Sequence, residues 1–170
     1  DLQVLLGARA GKLSVDEYRQ AVLDENVLAR GAVAARKKVF QELKGRYLLN
    51  AAHPIFTAFL QQWARCGSEQ ERALTAYVLL ALNDRTVAVM SQEWLYPQLR
   101  RSPCELRIGD LEAFLRQLGK TQHPEVGEWT PITLTRVAQH YLASVRDFGL
   151  ATGGIKKVSV RPALYAGPVR

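Results

Sequence analysis

The sequence predicts an all-α protein, a compact helical domain of about seven helices with at most a short C-terminal β-hairpin. Apolar residues recur at helical spacing along most of the chain, and helix-capping signatures precede several of these runs. The chain has 170 residues, 48% of them hydrophobic, which is enough to bury a sizeable core. We expect one globular unit in three parts: an N-terminal helix-turn-helix element (1–50), a central helical scaffold (51–107) and a C-terminal winged-helix-like element (108–170).

Two helices are predicted in the N-terminal part. Ser14 and Glu17 have the spacing of a capping box, so the first helix should begin there and run to about Ala29. Gly31 breaks the pattern and predicts a tight turn, after which a second helix covers 32–49. Two helices joined by a short turn are the basic unit of a helix-turn-helix motif.

Three further helices are predicted in the central part. Pro54 suits the first turn of the third helix, which should end near Gly67. Ser68 and Glu71 form a second capping-box pattern and start the fourth helix. Pro97 should kink or stop the fifth helix, because proline removes a backbone donor and clashes with the preceding turn.

The C-terminal part contains the clearest amphipathic pattern. Apolar residues lie at i, i+3, i+4 and i+7 from Leu111 to Leu118, and Gly119 follows where a left-handed C-cap is favoured. A seventh helix is expected from the N-cap Thr130 to Phe148.

A glycine pair and a basic strand follow the last helix. Gly153 and Gly154 permit the turns that hairpins prefer, and the strand at 155–160 carries Lys156 and Lys157. The order of helix, turn and basic strand is typical of a winged helix-turn-helix. The formal net charge of +7 also favours a polyanionic partner.

Other classes of function find little support in the residue pattern. The three histidines are far apart, no phosphate-binding or dinucleotide motif occurs, and no cofactor is expected. Cys66 and Cys104 are isolated, which is typical of a protein from a reducing cytoplasm. No signal peptide is recognised, and no apolar run approaches the roughly eighteen residues that a membrane span needs. We therefore expect a non-catalytic, cytoplasmic protein with no membrane contact.

Two sets of side chains are candidates for contact with nucleic acid. The first lies on the second helix, where only Glu42 offsets the cations; a solvated helix face is the alternative. The second combines the exposed side of the last helix with the basic strand; an ordinary polar surface followed by a mobile basic tail is the alternative. The candidate residues are Arg36, Lys37, Lys38 and Lys44 in the first set, and Thr133, Arg136, His140, Lys156 and Lys157 in the second.

Several short motifs resemble the BrxA family of bacterial phage-exclusion (BREX) systems, over nearly the whole chain. They are Asn26-Val27-Leu28 with Arg30, then Arg36, Arg46-Tyr47-Leu48, residues 110–115, and the block from Trp129-Thr130 to Gly149-Leu150. The resemblance implies an all-helical monomer with two helix-turn-helix elements and a shape similar to NusB-type antitermination proteins. It also implies binding of double-stranded DNA and a role beside a DNA methyltransferase, an ATPase and other defence proteins. Some members of the family are described as inner-membrane proteins, but the hydropathy of this chain does not support a membrane location.

The sequence thus predicts an accessory protein of a BREX-type system that binds double-stranded DNA largely through phosphate contacts. Two alternatives remain at this stage. One is a protein-interaction adaptor within the defence complex, and the other is a NusB-like RNA binder.

Overall fold

The computed structural model describes residues 1–9 and 13–162. Within them the chain is mostly helical with one small three-stranded sheet, so the predicted fold class is confirmed. The chain divides into two compact units, Asp1–Arg85 and Thr86–Arg170, and the division falls inside the expected central scaffold. Unit 1 contains helices α1 (Leu2–Ala8), α2 (Val15–Leu23), α3 (Val33–Tyr47), α4 (Pro54–Arg65) and α5 (Glu69–Asn83).

Both predicted capping boxes are present in unit 1. Ser14 accepts a hydrogen bond from the backbone of Glu17, whose carboxylate accepts one from the backbone of Ser14. Ser68 and Glu71 repeat the arrangement at the start of α5. Such reciprocal bonds satisfy backbone donors that a helix start otherwise leaves unpaired.

The connection between α2 and α3 differs from the prediction. Helix α2 ends at Leu23, not near Ala29, and residues 24–32 form an irregular connection where a tight turn was expected. Asn26 (φ 53°) and Ala29 (φ 51°) have left-handed backbones, which end a helix. The Asn26 side chain also accepts a hydrogen bond from the Arg30 amide at 2.8 Å. This local bond competes with the helical one, a preference of asparagine that the apolar spacing does not reveal.

An aromatic cluster lies in the core of unit 1. The Tyr18 ring is fully buried and packs edge-on against Phe56 at 6.0 Å, and Phe56 stacks on Phe59 at 5.7 Å. The hydroxyl of Tyr18 is buried without a hydrogen-bond partner among the described residues. Burial therefore raises the pKa of this phenol.

Removing the unpaired hydroxyl should stabilise unit 1. We expect Tyr18→Phe to raise the free energy of unfolding by about 1 kcal/mol, because a buried polar atom without a partner costs free energy while the ring contacts are kept. Urea unfolding followed by circular dichroism measures the change. A variant less stable than the native chain would show that the hydroxyl has a partner in solution.

Unit 2 carries the remaining helices and the sheet. In chain order they are α6 (Arg85–Val89), a π-helical segment (Met90–Leu95), α7 (Tyr96–Arg100), β1 (Glu105–Leu106), α8 (Ile108–Thr121), α9 (Pro124–Gly127), α10 (Pro131–Asp147), β2 (Ala151–Thr152) and β3 (Lys157–Ser159). Helix α6 begins at the last residue of unit 1.

Pro97 does not stop its helix. The helix continues to Arg100, and the π-helical turn Met90–Leu95 comes directly before the short segment that contains the proline. In a π-helical turn each backbone hydrogen bond spans one residue more than in an α-helix, which changes the direction of the helix locally. Helical structure thus continues on both sides of a residue that lacks a backbone donor.

The three strands of unit 2 form one antiparallel sheet in the order β1-β3-β2. The predicted hairpin is formed by β2 and β3, in which Ala151 pairs with Ser159 and Thr152 with Val158. Strand β1 pairs with the other edge of β3. The hairpin is therefore held by a strand that precedes α8, far back in the chain.

Helix α10 begins and ends as predicted. The Thr130 hydroxyl accepts a hydrogen bond from the Thr133 amide at 3.2 Å. At the other end Gly149 has φ 76°, and the amides of Gly149 and Leu150 donate to Arg146 and Val145, each at 2.9 Å. This is the Schellman arrangement, in which a left-handed residue after the helix satisfies its last carbonyls.

Gly119 has a different role from the predicted C-cap. It lies inside α8, which continues to Thr121, and its φ is not positive. A Cβ atom at Gly119 would lie 2.5 Å from the Gly127 nitrogen, so glycine is required there by close backbone packing of α8 against α9. The sequence pattern cannot show a contact between two helices.

Candidate nucleic-acid interface

In unit 1, three of the candidate lysines form what we call the α3 cluster: Lys37, Lys38 and Lys44. All three are exposed, and within the described part of the chain none forms an ion pair or a side-chain hydrogen bond. Lys37 and Lys44 are seven residues apart, so they lie on one side of the helix. Glu42 is the one acid in α3. The cluster therefore presents positive charge to solvent.

Arg36 lies differently from its neighbours. It is half-buried, and its Nη1 donates to the Leu23 carbonyl at 2.5 Å, near the C-terminus of α2. Its Nε is buried without a partner among the described residues. A cation at a helix C-terminus is favourable, because the unpaired carbonyls carry partial negative charge. The structure thus gives Arg36 a contact that joins α2 to α3, a contact that residue type alone could not indicate.

In unit 2, Arg136 and His140 are exposed on the same side of α10, since they are four residues apart. Ile132, four residues before Arg136, is 66% exposed and extends this side to the first turn of the helix. Thr133 is half-buried, and its hydroxyl lies 3.0 Å from that of Thr130. Thr133 therefore belongs to the helix cap, whereas Ile132, which the sequence pattern does not single out, lies on the surface.

The loop between β2 and β3, which we call the wing (residues 153–156), has a defined turn. Gly153 has φ 89°, and a Cβ atom there would lie 2.1 Å from the Lys156 carbonyl oxygen. Lys156 is exposed, while Lys157 is half-buried and donates from Nζ to the Gly154 carbonyl at 3.0 Å. Ile155 is 100% exposed. The wing thus presents a free lysine and an apolar side chain at its tip.

Two acids of unit 2, one on α8 and one at the end of α10, have partners of their own. Glu112 accepts from Arg116 at 3.0 Å and from the Thr135 hydroxyl at 2.7 Å. Asp147 is paired with Arg146 at 2.8 Å. Within the described residues, Arg136 and Lys156 have no such partner, so their charges are not neutralised.

Unit 2 also has a cluster of three arginines that the sequence pattern does not predict. Arg100, Arg101 and Arg161 are all exposed, and the Nη2 of Arg161 donates to the Arg100 carbonyl at 3.2 Å. A cleft with a volume of about 300 Å³ is lined by Pro97, Arg100 and Arg101. The pairing of β3 with β1 brings residues from two distant parts of the sequence together here.

No group of three or more His, Cys, Asp or Glu side chains in residues 1–9 and 13–162 is placed to hold a metal ion. A groove of about 330 Å³ between α4 and α5 is apolar, with Ile55, Val78 and Leu82 exposed along it, and no charged residue lines it.

No single helix within the described part of the chain is long and apolar enough to cross a bilayer. Two consecutive helical segments, Glu69–Asn83 and Arg85–Arg100, are bent where they meet. They reach the length and composition of a membrane span only when they are counted together.

Comparison with known proteins identifies the family. The model of the BrxA family matches residues 4–167, which is almost the whole chain. No curated protein and no solved structure matches the sequence. The chain therefore belongs to the BrxA family, and this membership implies a BREX phage-defence protein.

Proposed function

We propose that this protein is a non-catalytic accessory component of its defence system and binds double-stranded DNA, largely through phosphates. One observation carries the proposal: α10 and the wing both present cations without acidic partners, Arg136 on the helix and Lys156 on the loop. They belong to a single unit, in which β2 and the wing directly follow α10. Such cations attract a polyanion and release its counterions on binding.

The topology of unit 2 supports a winged helix-turn-helix. The elements of this unit follow the order α7, β1, α8, α10, β2 and β3, with the short α9 between α8 and α10. The strands pair in the order β1-β3-β2. In this arrangement α8 and α10 are the two helices of the motif, with α9 in the connection between them. The N-terminal half of the second helix is the part that enters the major groove. Arg136 and Ile132 lie in that half of α10.

The chemistry of these side chains suits contact with base edges. An arginine can bond to guanine in the major groove, and an isoleucine can contact the methyl group of thymine. Lys156 on the wing would contact the sugar-phosphate backbone next to the groove. Phosphate contacts then supply most of the affinity, and Arg136 with Ile132 supplies sequence preference.

In unit 1, the α3 cluster would lie at phosphates as the second helix of a helix-turn-helix motif does, although the connection 24–32 between α2 and α3 is longer than the short turn of that motif. Arg36 holds the two helices together through the Leu23 carbonyl, so its contribution is to position the cluster. Lys37 and Lys38 lie in the N-terminal half of α3, the half that faces nucleic acid in such motifs.

We further propose that the protein acts as a monomer in the cytoplasm, beside other BREX proteins such as the methyltransferase and the ATPase. The free thiols of Cys66 and Cys104 suit a reducing compartment.

Fluorescence anisotropy of the full chain with labelled duplex DNA, repeated at several salt concentrations, tests the proposal. We expect the affinity to fall linearly with salt on a logarithmic scale, with a slope that counts phosphate contacts. Competition with structured RNA at one salt concentration tests the NusB-like alternative. Tighter binding of RNA would replace the proposal with that alternative. No binding of either polymer, together with capture of another BREX protein after nuclease treatment, would favour the adaptor.

Arg136→Ala should weaken binding to the preferred duplex by about 1–3 kcal/mol and reduce the preference among sequences, because a base contact is lost. Arg146→Ala is a matched control on the same helix, since that arginine is already paired with Asp147 at 2.8 Å. Selection of binding sites from random duplexes, followed by affinity measurements, checks both effects. Equal losses in the two variants would contradict a groove contact by α10.

A further inference from the structure

The most unusual apolar side chain on the surface is that of Ile155. It is 100% exposed, whereas the other large exposed apolar residues among those described are between 36% and 66% exposed. An isolated apolar residue on a surface is common and by itself indicates nothing. The position of Ile155 is what distinguishes it, because it lies at the tip of a two-stranded hairpin.

The hairpin holds Ile155 in place. The close approach of Gly153 to the Lys156 carbonyl and the bond from Lys157 Nζ to the Gly154 carbonyl at 3.0 Å define the turn. Strand β3 is paired on both edges, with β2 and with β1. The isoleucine is therefore presented on a supported loop.

The surroundings of Ile155 suit a narrow, negatively charged groove. Gly153 and Gly154 have no side chains, so the backbone before Ile155 can approach another molecule closely. Lys156 and Lys157 follow it, and residues 148–162 contain no acid. The wing tip thus combines an exposed apolar side chain, a backbone without side chains at two positions and the free cation of Lys156, with Lys157 next to it in β3.

We propose that Ile155 inserts into the minor groove of DNA and partly separates two stacked base pairs, which bends the duplex. This inference rests on the proposed function and adds to it the role of one side chain. Architectural proteins bend DNA with apolar side chains of this kind, and adjacent cations offset the phosphate charge. Flexible steps such as TA are the easiest to unstack, so the wing should favour them.

A duplex of alternating thymine and adenine gives a direct test, because a TA step occurs in every binding register. Adenines replaced by 2-aminopurine report unstacking through a rise in fluorescence, and dyes at the two ends report bending through energy transfer. We expect the native full-length chain to increase both signals. Ile155→Ala should lose more than half of each increase while keeping the salt slope, because no cation is removed. Ile155→Met should retain them, since methionine can also act as a wedge.

Val4→Ala is the matched control, since Val4 is 51% exposed in α1 and lies outside the basic clusters. It should behave as the native chain. Equal signals from the native chain and Ile155→Ala, or binding of the native chain without any rise in fluorescence, would overturn the role of Ile155 and leave DNA binding intact. Absence of duplex binding by the native chain would overturn the proposed function and this inference together.

Discussion

Replacing Lys37 and Lys38 by glutamate is expected to weaken duplex binding roughly a hundredfold near 0.1 M salt, about tenfold for each lost phosphate contact. Both lysines are exposed on α3 and have no acidic partner among the described residues, so their charge is available to phosphates. The slope of the logarithm of affinity against the logarithm of salt should fall by about two, since each contact contributes about 0.9. The loss should be similar for all sequences, because phosphates carry no sequence information.

A salt titration of Lys37→Glu, Lys38→Glu measures both effects on the full chain. Arg19→Glu, Arg65→Glu is a matched control, because both arginines are exposed on other helices of unit 1 and the change in net charge is the same. If binding depended only on the net charge of +7, the two double variants would lose affinity equally. An equal loss, or an unchanged slope in the α3 variant, would remove α3 from the interface.

The second large effect is expected at Gly119. Gly119→Ala should destabilise unit 2 by about 2 kcal/mol or more, although alanine is the better helix former by about 1 kcal/mol. The new Cβ atom would lie 2.5 Å from the Gly127 nitrogen and 2.7 Å from its Cα. These are backbone atoms and cannot rotate away as a side chain can, so α8 and α9 must separate. Because α9 lies in the connection to α10, the proposed DNA contact should weaken as well.

Gly109→Ala provides the control in the first turn of the same helix. A Cβ atom there has no neighbour within 4 Å, so this variant should be neutral or slightly more stable than the native chain. Urea unfolding followed by circular dichroism compares the two alanines. A Gly119→Ala variant as stable as Gly109→Ala would show that α9 does not pack against α8 as closely as the structure describes.

The sequence by itself determined the features that depend on neighbouring residues. The capping boxes at Ser14 and Ser68 and the ends of α10 follow from short-range hydrogen bonds, so local spacing is enough to locate them. The hairpin follows from the glycine pair, in which Gly153 has φ 89°, a conformation that other residues rarely adopt. The excess of positive charge is a matter of composition. The fold class could therefore be predicted without a structure, and the proposed preference for a polyanion starts from the same charge excess.

Only the tertiary structure decided which of the candidate side chains are available to a partner. Arg36 and Lys37 are adjacent and chemically similar, yet one bonds to the Leu23 carbonyl and the other is exposed. The sequence pattern predicts a helix end at Gly119, but its contact is with Gly127 on another helix. The exposure of Ile155 likewise depends on where the wing turns. Such contacts join residues that are apart in the chain, and no local pattern of polarity or spacing records them.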